Sequence, residues 1–521
     1  MLERAARHKL AVCAAMAILP MGIRLAALRT IPIPEPGIHD EYSYLLAADT
    51  FRSGRLTTPT HPMWEHFETF HELMRPTYQS KYPPAQGLFL ALGWKLFGHP
   101  WYGVWISFGL MCGCLCWMLY GWLPPVYALL GTLAAMGQLG IFGYWMNSYW
   151  GGAVTAAAGA LVLGAMARVV RGPSAGASVM GTLGLVLLAN SRPYEGLAMT
   201  LAAAAALVWW RYSTGRRRPL AGLFAWRNLA PLVLIGGAGA LGMLYYNSRV
   251  TGNPWKMPYA AYYEQYAAVP QWYILPPNPR PLDYRNEAVR NIWTELEIPL
   301  YRKARHNPTR ITLKLAIDVL PWYCSSLLFV AIAAAVTVTR SLKVKLALAI
   351  GACLFAAGAV ETWTMPHYLA SGAALVFAAA MYGVRLLRLA SRQAGALLVL
   401  LFTATIFVGG TQKAAAEFRR FETAATTPNR KTVAESLRAH GGRHLAIVRY
   451  GPGHDVNEDW VFNAADIDAS PIVWARDMGP EKNRELMDYY RGRSVWLIYA
   501  DEKPVKIERL PASEAEKRRL P

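Results

Sequence analysis

The chain has 521 residues, of which 54% are hydrophobic and only 17% charged, against about 25% charged in a typical soluble domain. That balance excludes an ordinary soluble protein. A net charge of +20 would suit a nucleic-acid binder, but the basic residues are scattered through the connections between apolar segments, which excludes a single basic face.

In chain order, segments near the roughly 20 apolar residues of a spanning helix fall at about 9–30, 101–121, 123–142, 150–168, 175–191, 195–210, 229–248, 317–338, 342–360, 367–386 and 394–412. They predict a polytopic α-helical membrane protein with about eleven crossings. The first segment carries Pro20 and Arg24 and lacks a small-residue cleavage site, so it reads as a retained helix. Lys and Arg recur in alternate connections ("MLERAARHK", "ARVVRG", "RYSTGRRRP", "TRSLKVK", "VRLLRLASR"), whereas "GYWMNSYWGG", "NSRPYEG" and "ETWTMPHY" hold a single Arg among them. By the positive-inside rule the N-terminus is cytoplasmic and the aromatic and acidic connections lie outside. Cys13, Cys112, Cys114, Cys116, Cys324 and Cys353 all fall in apolar segments, which implies no disulfide framework. "CGCLC" reads as small buried hydrophobes before it reads as a metal site.

Two connections are too long to be mere links. Residues 31–100 hold a helix near 40–53 and a short apolar piece, "PPAQGLFLALGWKLFG", which reads as lying in the interface. Residues 249–316 are dense in Tyr, Trp and Pro. Loops of this length serve as lids or binding surfaces. After about residue 413 the composition turns soluble. "HLAIVRY" (444–450), "SPIVWARD" (470–477) and "SVWLIYADE" (494–502) read as short buried strands, with "NRKTVAESLRAHGG" and "PEKNRELMDYYRGR" as helices beside them. The expected organisation is a transmembrane domain over 1–412 and a small extracytoplasmic α/β domain over 413–521, with a largely parallel sheet. No Gly-rich phosphate fingerprint follows any of its strands.

The outer connections hold nearly every candidate for chemistry: His39, Asp40, Glu41, Arg75, Lys81 and Tyr82; Asn147 and Tyr149; Asn190, Arg192, Tyr194 and Glu195; Lys256; and Glu361, His367 and Tyr368. Ionisable groups at this depth are costly unless paired or used. Moving a sugar from a lipid phosphate to a hydroxyl requires a carboxylate to take the acceptor proton. It also requires cations for the departing phosphate, which leaves as an anion. Asp40 or Glu41 as base, with Lys81, Arg75 and Arg192 around the phosphate, meets both needs. Plainer readings compete. Asp40 can be an N-cap and Glu41 a helix-dipole partner, the cations can anchor headgroups, and His367 after Pro366 can shape a helix start.

The motifs "HDEYSYLLAAD" after the first helix, "SKYPPAQGLFLALG" closing that loop and "MPHYLASG" heading a late helix resemble the GT-C superfamily of membrane glycosyltransferases. The branch is that of the protein O-mannosyltransferases and lipid A aminoarabinose transferases. The resemblance covers about residues 1–412. It implies a first-loop acid at Asp40 or Glu41, a loop cation at Lys81 and a late motif at His367 and Tyr368. Two departures stand out: Tyr82 separates Lys81 from its Pro pair, and His367 stands where Arg is common. The resemblance also implies a polyprenyl-phosphate-linked sugar donor, inversion at the anomeric carbon, and a glycan, lipid or protein acceptor. The setting would be a bacterial inner membrane with its lipids as neighbours, without nucleic acid. Some members use a divalent cation and others none. The competing functions are a transporter or flippase for a lipid-linked or anionic substrate, which would place charges or Gly/Pro breaks at mid-membrane, and a scaffold whose C-terminal domain recruits a partner.

Overall fold

Small side chains decide how closely the long helices pack. In the computed structural model, which describes residues 6–213, 220–278, 283–338, 341–426, 429–455 and 457–510, helix α1 (Lys9–Ala26) precedes a first long loop. That loop contains α2 (His39–Arg52), the short strands β1 (Thr58–Pro59), β2 (Glu72–Leu73) and β3 (Thr77–Ser80), and α3 (Pro84–Phe97). The bundle continues with α4 (Trp101–Trp122), α5 (Pro125–Leu139), α6 (Gly152–Val169), α7 (Ala175–Ala189), α8 (Pro193–Ser213) and α9 (Trp226–Thr251). A second long loop opens with α10 (Pro258–Tyr266), and the later helices are α11 (Ser326–Val338), α12 (Leu342–Ala359), α13 (Ala373–Ala390) and α14 (Arg392–Thr426).

Among the described residues, seven helices are long and apolar enough to cross a membrane, or eight if the bent pair Pro308–Tyr323 and Ser326–Thr337 counts as one span. This is fewer than the eleven crossings expected. The difference has a physical source. Segments 123–142 and 175–191 fold as helices of only 15 residues each, α5 and α7, short of the roughly 20 needed. Residues 195–210 do form a helix, α8, but it buries Glu195 near one end and Arg211 near the other. Over 308–337 the chain turns by 101° within its apolar run.

α6 is the centre of the bundle, and every residue from Gly152 to Ala167 is buried. Its "GAVTAAAGALVLGAMA" lets neighbours come to backbone contact, the arrangement small residues favour in lipid. At Gly159 a Cβ would lie 1.9 Å from the carbonyl oxygen of Ser371, so only glycine admits the 3₁₀ turn Pro366–Gly372 at this position. That contact fixes where His367 and Tyr368 sit.

α3, at 14 residues, is too short to span and exposes Leu88, Leu92 and Leu96. A mutual approach of Gly93 and Gly103 holds it against α4.

Beyond α14, α15 (Arg430–Ala439) and α16 (Pro480–Tyr489) flank strands β4 (His444–Arg449), β5 (Ile472–Arg476), β6 (Ser494–Tyr499) and β7 (Lys506–Arg509). The strand order is β5-β4-β6-β7. β4 pairs in parallel with β5 and β6, and β7 adds an antiparallel edge. Both faces are covered, so the strands are continuously apolar. Ala446, Val448 and Trp474 pack on Val433, Ala434 and Leu437 of α15. Leu445, Ile447 and Val473 pack on Leu46, Phe67, Met74 and Tyr78 of the first loop.

A buried polar network seals that second contact. Arg476 pairs with Asp459 and donates from Nε to the Glu68 carbonyl at 2.6 Å, while Thr69 Oγ1 donates to Asp459 at 2.8 Å. Removing one partner of such a pair leaves an uncompensated buried charge, at a cost of about 3–5 kcal/mol. Asp459→Asn is therefore expected to lower the thermal midpoint of the detergent-solubilised chain clearly, and Asp459→Leu with Arg476→Met to recover much of the loss. A midpoint unmoved by Asp459→Asn would contradict the network's role.

Candidate active site

The paired acids at the start of α2 do different work. Neighbouring residues on a helix point about 100° apart, so Asp40 and Glu41 face separate surroundings. The helix N-cap is Ile38, which makes no side-chain cap, so Asp40 is not the cap. Glu41, 4% exposed, accepts the Gly37 N–H at 2.7 Å and the Tyr149 N–H at 2.8 Å. It ties the loop before α2 to the segment before α6.

Asp40 faces the opposite way. One of its oxygens accepts a hydrogen bond from the Tyr82 hydroxyl. The other lies 3.1 Å from His39 Nδ1 and 3.6 Å from His71 Nε2. Burial alone would raise its carboxyl, but the attraction of His71 in its protonated, low-pH form, the hydrogen bond with His39 and the charge of Lys81 hold it well below the usual carboxylate range. Burial, reinforced by Lys81, keeps His71 well below its ordinary value. At neutral pH Asp40 is therefore an anion beside an uncharged His71.

Lys81 is only 5% exposed, and its Nζ sits 4.8, 5.0, 5.1 and 5.7 Å from the ring centres of Tyr262, Tyr259, Tyr82 and Tyr263. Tyrosine faces stabilise an ammonium, though less than a paired anion would. Burial pulls its pKa down to about 8, against the attraction of Asp40 and Glu297. Glu297 in turn is pushed up by burial and accepts the Trp363 indole N–H at 3.0 Å.

Arg192, in the turn between α7 and α8, stacks over Tyr368 at 4.5 Å and pairs with Glu195 at 3.2 Å. Tyr44, in contact with Arg192's field, stacks on Tyr82 at 4.5 Å. His367 Nδ1 lies 3.2 Å from the Tyr144 hydroxyl, and its ring packs edge-on against Trp150.

The structure thus gathers Asp40, Lys81, Tyr82, Arg192, His367 and Tyr368 around one aromatic chamber. It does not bring in Arg75 or the Glu41 carboxylate. Arg75 is exposed and stacks on Trp64 at 4.3 Å; the turn between β2 and β3 carries it away from Lys81. Lys256 also lies apart, in an exposed ion pair with Glu264.

Sequence reading passed over the tyrosines of α10, although "YAAYYEQY" sets Tyr259, Tyr262, Tyr263 and Tyr266 at i, i+3, i+4 and i+7, one helix face. It also passed over His71. No local signal marks His71, whose φ of +63° is sparsely allowed outside glycine and costs about 1–3 kcal/mol.

His39, Asp40 and His71 place their ligand atoms within 4.8 Å of one another. Nε2 of His39 and Nδ1 of His71 are buried without a hydrogen-bond partner. Two imidazoles and a carboxylate suit a borderline cation such as zinc better than magnesium, so these residues fit a divalent ion. Such an ion would supply electrostatic stabilisation beside Asp40.

No family model and no curated sequence matches the chain. Among solved structures, ArnT from Cupriavidus metallidurans bound to undecaprenyl phosphate aligns over 92% of both chains at 11% identity, with a TM-score of 0.51. The apo form of that protein aligns over 96% of this chain and 94% of its own, at 12% identity and a TM-score of 0.48. The Archaeoglobus fulgidus oligosaccharyltransferase in complex with Zn and sulfate covers 85% of this chain and 60% of its own, at 10% identity and a TM-score of 0.48. The chain shares the fold of ArnT.

The Lys81 value sets a pH expectation. A lysine whose pKa is lowered loses its charge as pH rises through that value, so an anion held by Lys81 weakens above about pH 8. Asp40, held low, stays ionised down to acidic pH. Affinity for a phosphodiester anion, whose own charge is constant over this range, measured by fluorescence titration, is expected to be flat between about pH 5.5 and 7 and to fall above about 8. Lys81→Arg is expected to move the alkaline fall upward; an unchanged fall would remove Lys81 from anion binding.

Proposed function

We propose that the chain is an inverting glycosyltransferase that moves a sugar from a polyprenyl-phosphate donor to an acceptor hydroxyl at the membrane face bearing Asp40. The observation that carries this reading is the placement, in one aromatic chamber, of a half-buried, ionised Asp40 near a buried Lys81 ammonium lodged among four tyrosine rings. The undecaprenyl phosphate bound by ArnT, whose fold this chain shares, supports a lipid-linked donor.

In this mechanism Asp40 takes the acceptor's proton as its oxygen attacks the anomeric carbon from the side opposite the phosphate. The anomeric C–O bond breaks, its electron pair stays on the phosphate oxygen, and polyprenyl phosphate leaves with one more negative charge than it had as a diester. Lys81 meets that new charge, with Arg192 as the second cation. A buried ammonium gains most when the charge grows, which favours the transition state over the bound donor. Tyr82 orients Asp40 through its hydrogen bond. Glu41 is a positioning residue that never meets the acceptor.

In this proposal the domain expected over 413–521, whose described elements run from Arg430 to Arg509 beyond α14, is extracytoplasmic and covers the first loop, and the N-terminus is cytoplasmic in a bacterial inner membrane. The sugar is bound against the tyrosine faces of the second loop, whose stacking on the first loop excludes water.

The test is mass spectrometry of polyprenyl-phosphate sugars in cells lacking the gene and complemented with variants. Asp40→Asn is expected to accumulate the same lipid-linked sugar as the deletion, with turnover reduced by about 10²–10⁴-fold in the purified enzyme. Glu41→Gln is expected to retain catalysis at permissive temperature while losing about 1–3 kcal/mol of stability through its two backbone hydrogen bonds. A deletion that changes no lipid-linked sugar, or an Asp40→Asn enzyme as active as wild type, would refute the proposal.

A further inference from the structure

At the end of the bundle remote from Asp40, five helices converge on a second charged pocket. α4 starts beside α2, where Trp101 packs with Tyr44 and Ala48, and ends at Trp122 on the far face. α6, α8 and α13 arrive there with it, and α12 begins there. The pocket has a volume of about 380 Å³ and is lined by Arg171, Lys343, Arg385, Trp122, Trp210 and Tyr382, together with the first residues of α12. No Asp or Glu lines it among the described residues.

The plain reading is that its cations cap a helix. Arg171 Nη2 donates to the Gly121 carbonyl at 2.5 Å, and Lys343 Nζ donates to the Trp122 carbonyl at 2.7 Å. Both neutralise the negative end of α4. That accounts for two of the three cations but not for their concentration. Lys343 is close enough to Arg171 and Arg385 to be repelled by both, and Arg385 extends from α13 beside Tyr382. The N-terminus of α12, an 18-residue helix whose N-cap Ser341 makes no side-chain cap, opens into the same space. Helix N–H groups and clustered cations converging on one cavity are the chemistry of phosphate binding. The walls are aromatic, with Trp122 and Trp210 ring centres 5.5 Å apart. A narrow apolar crevice lined by Val344, Ala347 and Ala378 adjoins the pocket.

We propose that this pocket binds a phosphate group at the membrane face opposite Asp40, supplied by an anionic lipid headgroup or by free phosphate. The site is independent of the glycosyltransferase reading, since it shares no residue with the Asp40 chamber. Basic pockets between membrane helices hold headgroups in this way, each cation contributing on the order of 1 kcal/mol.

The test is native mass spectrometry of the full detergent-released chain offered phosphatidylglycerol and phosphatidylcholine together. A clear preference for phosphatidylglycerol is expected, falling roughly tenfold or more in the Lys343→Gln, Arg385→Gln double variant, because two cations are removed. The Lys343→Arg, Arg385→Lys variant keeps both charges and is expected to keep the preference. Matching thermal midpoints for the two variants exclude misfolding as the cause. Millimolar inorganic phosphate distinguishes the sources: a preference that survives it assigns the site to a headgroup. Thermal stabilisation by inorganic phosphate that the double neutralisation abolishes, with no lipid preference, assigns it to free phosphate. No lipid preference with no response to phosphate, or a preference that survives double neutralisation, overturns the proposal.

Discussion

A half-buried carboxylate and a buried ammonium in one chamber, neither closed into an ion pair with the other, impose the demand that the surrounding structure meets. Asp40 must remain charged with only part of its carboxylate open to water, and Lys81 must stay charged without a carboxylate at contact distance among the described residues. Desolvation of either is expensive. The tyrosines of α10, the hydroxyl of Tyr82 and the two imidazoles at positions 39 and 71 are what offset that cost. Each comes from a different stretch of chain, so the first and second long loops have to fold onto one another before the chamber exists. Phe70 and Leu73 accordingly share a core with Tyr246, Tyr262 and Trp293.

The bundle beneath serves the same end by close approach. Gly159 admits the 366–372 turn, and the meeting of Gly93 with Gly103 seats α3 on α4. Polar groups therefore reach the chamber from rigid helix ends, which holds geometry better than a free loop does. On the other side of α2, the sheet formed by β4 to β7 packs directly on Leu46, Phe67 and Met74. The Arg476–Asp459 network locks that contact. The C-terminal strands therefore form part of the wall that keeps the first loop in shape.

The far pocket and the near chamber share a design in which cations face aromatic rings. They differ in what stands opposite. Asp40 supplies a base beside Lys81, whereas no acid lines the pocket around Lys343 among the described residues. On the two proposals made above, the first arrangement serves chemistry on a phosphate ester and the second only its retention.

Much of this was legible in the sequence, and the boundary is instructive. Apolar runs, the helix over 39–52, the three principal strands and the collection of polar residues in the connections follow from composition and periodicity, because burial in lipid or in a two-sided sheet leaves a local imprint. The tyrosine face of α10 was also written there at helical spacing. The separation of Asp40 from Glu41 was not, since both start one helix and only their neighbours, Tyr82 and Tyr149, distinguish them. Nor was the exclusion of Arg75, which the β2–β3 turn decides, or the entry of His71, which depends on one left-handed backbone angle. The sequence by itself determined which groups were available and which segments had to leave water. The tertiary structure decided which of those groups share a dielectric environment, because a charge's partners are set by distances across loops that no local pattern encodes.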